Sequence, residues 1–125
     1  MGNNESGKYV LLVEDDPDIR ELLLEAFQIM NVHAKCATCG SDAIDALATY
    51  GKPAVVLLDL MMPKTDGVWF CNERKKYPQY TDIPVVILTA DSRIESKAAE
   101  LAVNGFLRKP VTIDDLMKTV QRYIS

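Results

Sequence analysis

Short apolar runs rich in branched residues alternate along this chain with longer stretches in which apolar residues recur every third or fourth position. That alternation predicts a parallel sheet covered by helices. Five runs read as strands, at 9–13, 32–37, 54–58, 83–88 and 105–108. The third and fourth show no polar alternation, the pattern of strands buried on both faces near the middle of a sheet.

Between the runs lie five helical stretches. Residues 17–30 carry Ile19, Leu22, Leu23, Ala26, Phe27 and Met30 on one stripe, with Pro17 suited to the first turn. Residues 41–50 repeat the stripe, and Gly51 suits the position after a helix because it takes positive φ without penalty. Further helices are expected from Thr65 or Asp66 to Tyr77, from about Ser92 to Val103, and from Thr112 to Ile124, where Thr112 and Asp115 form a capping-box-like start. Parallel strands joined by helices cross over with one hand, so the product is one doubly wound α/β sheet with helices on both faces. In such sheets ligands bind beyond the carboxyl ends of the strands.

At those ends stand Glu14, Asp15 and Asp16 after the first run, Asp59 after the third, Thr89 after the fourth and Lys109 after the fifth. Asp16 and Asp66 read equally well as helix caps. Asp59 follows its apolar run too closely to be a solvated ornament, and a half-buried carboxylate needs a cation or donors nearby. Carboxylates brought together repel one another unless a divalent cation neutralises them, and magnesium, which takes oxygen ligands and keeps waters, suits them best. With Lys109 and Thr89 to receive phosphoryl oxygens, the pocket suits phosphoryl transfer, Asp59 being the nucleophile.

Length and composition narrow the classes further. At 125 residues the chain has room for one domain, expected at 8–125 behind a flexible leader at 1–7. A formal charge of −4 argues against direct nucleic-acid binding. No apolar run suits a membrane span and the start lacks a signal peptide's apolar middle, so a cytoplasmic location is expected. The loose myristoylation pattern at Met1 to Ser6 reads as a polar leader. Cys36 and Cys39 are spaced C-x-x-C, but no second pair completes a zinc site, and reduced thiols are the expected state for these and Cys71.

Four strings, 11–17 (LLVEDDP), 57–67 (LLDLMMPKTDG), 86–90 (VILTA) and 105–110 (GFLRKP), occur in that order and each lies at a strand end. Together they resemble the receiver domain of two-component response regulators, over nearly the whole chain. The resemblance implies a flavodoxin-like five-stranded sheet in the order 2-1-3-4-5, with Asp59 as phosphoacceptor. It implies a metal site for magnesium, with manganese as substitute, made by Asp15 directly, Glu14 through water, Asp59, and the backbone carbonyl of Met61. Lys109 corresponds to the phosphate-binding lysine, with a cis bond to Pro110. Thr89 and Phe106 correspond to a coupled switch pair.

The implied phosphodonor is a histidine kinase or histidine phosphotransfer protein, and the output is contact with a downstream protein through the fourth helix, fifth strand and fifth helix. The domain is expected to be a monomer or a phosphorylation-dependent dimer. By this reading it is no enzyme in the ordinary sense, but assists its own phosphorylation and dephosphorylation. Two departures stand out: the stretch from Thr89 to Lys109 looks slightly short, and Ala102 stands where a glycine is usual. Met61 and Asp91 flank the site at positions that tune loss of the phosphoryl group in the family.

Other functional classes fit the residues less well. A haloacid-dehalogenase-type phosphatase wants an aspartate where Met61 stands, and a flavodoxin-like electron carrier wants a phosphate-cradling loop where the acidic Glu14, Asp15 and Asp16 stand. Trp69 and Phe70 cannot both face one side of a helix, so at least one is core. Arg74, Lys75 and Lys76 read as a solvated helix end favoured by the macrodipole.

Overall fold

The computed structural model describes residues 8–60 and 66–124. The expected leader at 1–7, the Met61 carbonyl and a helix start at Thr65 lie outside the described residues.

Five parallel strands form one sheet in the order β2-β1-β3-β4-β5. They are β1 (Val10–Val13), β2 (Ala34–Ala37), β3 (Val55–Asp59), β4 (Val85–Thr89) and β5 (Gly105–Arg108). The helices between and after them are α1 (Pro17–Ile29), α2 (Gly40–Tyr50), α3 (Gly67–Arg74), α4 (Ile94–Leu101) and α5 (Ile113–Ile124). The doubly wound sheet is the one expected from the residue pattern, and its strand order is the one the resemblance implies. β1, β3 and β4 are buried throughout, so the fully buried interior of the sheet includes the first strand as well as the third and fourth.

Alternate strand residues face opposite sides, as the period of a strand requires. Leu11, Val13, Val56, Leu58, Val85 and Ile87 pack with Leu47, Phe70, Ile94 and Leu101 from α2, α3 and α4. Val10, Leu12, Val55, Leu57, Val86 and Leu88 pack with Leu23, Phe27, Leu116 and Val120 from α1 and α5. Phe70 is thus core, and Trp69 packs half-buried against the same cluster.

Helix ends follow local chemistry. Asp16 accepts from the backbone N–H groups of Asp18 and Ile19, and Asp66 from that of Trp69, so both act as caps. Gly51 closes α2 at φ 86°, and Thr112 Oγ1 accepts from the Asp115 N–H at 3.1 Å. The fourth helix is shorter than expected and ends at Ala102 in the left-handed conformation, φ 55° and ψ 44°.

The third helix also ends early. Its successor is one turn of 3-10 helix at Pro78–Tyr80, and the reading of Arg74 as solvated is corrected. Arg74 is 4% exposed and its Nη1 donates to the carbonyls of Tyr80 and Thr81 at 3.0 and 3.1 Å. A buried guanidinium is tolerated where carbonyls receive its donors. Here it staples the connection from α3 to β4 onto the helix.

Candidate functional site

Strand register decides which carboxylates meet. Val13 pairs with Leu58 across β1 and β3, so Glu14 and Asp59, one residue further on, are neighbours at the same level. They share the face that carries α1 and α5, because side chains at one level of adjacent strands point the same way. Asp59 in turn pairs with Leu88, and Thr89 with Arg108, which brings Thr89 and Lys109 to the same edge.

Glu14, Asp15 and Asp59 each place a carboxylate oxygen within 4.8 Å of the others. Glu14 is 1% and Asp59 5% exposed, so two of the three charges are almost withdrawn from water. Lys109 Nζ reaches into the cluster from the fifth strand end, donating to Glu14 Oε1 at 3.0 Å and lying 3.3 Å from Asp59 Oδ2. The Lys109–Pro110 peptide bond is cis, as expected.

Burial pushes the Glu14 carboxyl above its ordinary pKa; the bond from Lys109 opposes this and the charge of Asp59 adds to it. Burial alone would depress the Lys109 ammonium, but its bond to Glu14 and the charges of Asp59 and Glu14 outweigh that and hold it above the ordinary lysine value. One lysine thus faces two buried carboxylates with a third alongside, and the site retains an excess of negative charge. A set of oxygen donors with that excess fits a hard divalent cation, whose positive charge offsets the repulsion. The acidic cluster is therefore a fitting cation site.

Beside it opens a cleft of about 320 Å³ lined by Asp59, Thr89, Ala90, Asp91 and Lys109. Thr89 is buried, and its Oγ1 accepts from the Asp91 N–H at 3.3 Å. Asp91 is held by Arg93 and by Lys97 Nζ at 3.4 Å. Hydrogen bonds from Arg93 and Lys97 keep its carboxyl well below the usual carboxylate range. Phe106 stands outside the cleft: it pairs with Ile87, below Thr89 on the strand, and is 38% exposed.

Asp16 turns away as the α1 cap. Cys36, Cys39 and Cys71 are thiols, and burial pushes Cys36 and Cys71 up, Cys71 to about 11, away from the thiolate that metal binding or redox exchange requires.

Two contacts escaped the reading of the sequence. A side chain at Gly67 would meet the Asp59 carbonyl, 2.7 Å from an added Cβ, and Leu60 Cα at 2.9 Å, so only glycine lets α3 begin against the backbone that carries Asp59. The glycine lies in a quoted string, yet nothing local shows what it touches. Arg20 Nη1 donates to the carbonyls of Glu14 and Asp15 at 2.9 and 3.3 Å; a cation one turn into the helix after an acidic loop was the only signal.

Fold and site together define a doubly wound α/β module with an acidic, lysine-bearing cleft at its carboxyl edge. The family model described as the response regulator receiver domain matches residues 10–121, and the chain belongs to that family. It resembles the regulatory protein AtoC of Escherichia coli, at 32% identity over 90% of this chain and 24% of that protein. The structure of the bacteriophytochrome response regulator AtBRR is similar at 36% identity and TM-score 0.78, over 93% of this chain and 91% of that one. The receiver domain of sensor histidine kinase PA1611 from Pseudomonas aeruginosa, described with a magnesium ion coordinated in its active-site cleft, shares the fold at 23% identity and TM-score 0.84, over 94% of this chain and 98% of that one. The chain spans roughly a quarter to a half of the length of the curated relatives it matches. As a receiver it accepts a phosphoryl group in two-component signalling. Receivers engage histidine kinases and downstream effectors. Among the described residues no helix is long and apolar enough to cross a membrane.

Proposed function

We propose that Asp59 is the phosphoacceptor and that Glu14, Asp15 and Asp59 hold magnesium, with manganese as a substitute. The observation that carries this reading is the meeting of three carboxylates from two strand ends within 4.8 Å, with Lys109 bridging Glu14 and Asp59. When bound, the cation would supply positive charge that offsets the repulsion between the carboxylates and an incoming phosphoryl group.

In the transfer an Asp59 carboxylate oxygen forms a bond to phosphorus while the phosphorus–nitrogen bond of a phosphohistidine breaks. The bonding pair returns to the ring nitrogen, and histidine leaves as neutral imidazole if its other nitrogen carries a proton. Lys109 draws one phosphoryl oxygen and the Thr89 hydroxyl, released from the Asp91 N–H, donates to another. By family resemblance Phe106 then turns inward, and the surface of α4, β5 and α5 changes for a downstream protein.

The phosphodonor is a histidine kinase or a phosphotransfer protein. An apolar groove lined by Ile19, Leu22, Leu23, Ala90, Lys109, Pro110 and Val111 adjoins the cleft and shares Ala90 and Lys109 with it, which supports a protein donor covering both. The module is a phosphoacceptor that assists its own phosphorylation and dephosphorylation, acts in the cytoplasm, and is a monomer or a phosphorylation-dependent dimer. Its charge of −4 supports output through protein contact and not through nucleic acid.

Beryllofluoride, a phosphoryl mimic, tests the assignment. Added with magnesium it should give a saturable change in Trp69 fluorescence and in amide shifts around Asp59 and Thr89, and Asp59→Asn should abolish it. An equal response from the variant would remove Asp59 from this role.

A further inference from the structure

Val13 is the last β1 residue in register with Ala37 and Leu58, so the next two carbonyls lie beyond the ladder and must find donors elsewhere. Arg20, one turn into α1, supplies one: its Nη1 reaches the Glu14 carbonyl at 2.9 Å and the Asp15 carbonyl at 3.3 Å. On the same loop the Glu14 N–H donates to the Ala37 carbonyl at 3.0 Å, and the Asp16 N–H to Glu14 Oε2 at 3.3 Å. The loop is thus held from the sheet on one side and from α1 on the other.

We infer that Arg20 is a positioning residue for the acidic cluster, its guanidinium gripping the backbone from which Glu14 and Asp15 project. This rests on the cation site proposed above and assigns Arg20 no contact with the cation. Charge and grip pull in opposite directions. A positive charge beside the cluster weakens cation binding through space, whereas a fixed loop strengthens it by keeping two carboxylates converged, as partners behind metal ligands do. Lysine keeps the charge but presents a point ammonium in place of the planar fork.

The test is a magnesium titration of the full ¹⁵N-labelled chain without phosphodonor, read from amide shifts of Glu14, Asp15 and Asp59, for wild type, Arg20→Lys and Arg20→Met. Grip predicts that both variants weaken magnesium by about 10-fold or more. It also predicts faster hydrogen exchange at the Asp16 amide while the shifts of β4 and β5 stay native. If Arg20→Lys binds as wild type does and Arg20→Met binds more tightly, Arg20 acts through charge and the inference is overturned. Lower stability with unchanged magnesium affinity in both folded variants overturns it equally. If wild type itself shows no magnesium-dependent shift at the three carboxylates, the cation site fails and this inference falls with it.

Discussion

Glu14 and Asp59 sit side by side at a cost to the resting fold. Two carboxylates are almost fully buried side by side, and burial together with the Asp59 charge raises the Glu14 pKa. Lys109 relieves the pair only in part, being shared between them. Functional sites commonly hold such strain, and its removal stabilises. Asp59→Asn should therefore raise stability by about 1 kcal/mol in magnesium-free buffer, seen as a higher urea midpoint. The gain should shrink as magnesium is added, because under the proposed assignment the cation stabilises the wild-type cluster more than one that has lost a carboxylate. A lower midpoint without magnesium would show that Asp59 serves the fold through Lys109 more than it strains it.

At the scale of elements, α4 is weakly secured at both ends. It has 8 residues, no side-chain cap at its start, and an alanine in the left-handed conformation at its end. The N–H of Val103 still closes the last turn onto the Ala98 carbonyl at 3.2 Å, so the turn forms despite the wrong residue. An alanine there is strained because its Cβ crowds the backbone, while glycine is not. Ala102→Gly should stabilise the domain by about 0.5–1 kcal/mol, measurable by chemical denaturation, and should slow amide exchange within α4 before it affects β1 or β3. No gain would mean that glycine's extra freedom in the unfolded chain offsets the relieved strain. A weakly held α4 beside β5 is also what a switchable output surface requires, since elements that move come from the low end of local stability.

For the whole molecule, Tyr9 ties the start of the central sheet to the connection after α2. It is buried, its hydroxyl donates to the Gly51 carbonyl, and burial, with smaller effects from Tyr80 and Tyr50, pushes its pKa up to about 12. A pKa raised on folding means that stability is fully present below the unfolded value near 10 and is lost as pH rises through the folded one. The stability advantage of wild type over Tyr9→Phe should thus hold steady below pH 10 and decline between pH 10 and about 12. Urea unfolding across that range measures it. An advantage that stays flat to pH 12 would mean the hydroxyl ionises freely in the native state.

Much of this was legible in the chain because it depends on neighbours in sequence. Strand and helix periods, the caps at Asp16, Asp66, Gly51 and Thr112, and the residue types at each strand end are local properties. Illegible were the burial of Arg74, the turn at Pro78–Tyr80 and the grip of Arg20, since a cation reads as solvated until the carbonyls that receive it are known. Glu14 and Lys109, 95 positions apart, come to 3.0 Å only because β1, β3, β4 and β5 lie side by side in one register. The sequence by itself determined which elements form and which chemical groups end them. Tertiary structure decided which groups meet and how dry they become, because electrostatic energies depend on separation in space and on exclusion of water, and neither is a property of a residue and its neighbours.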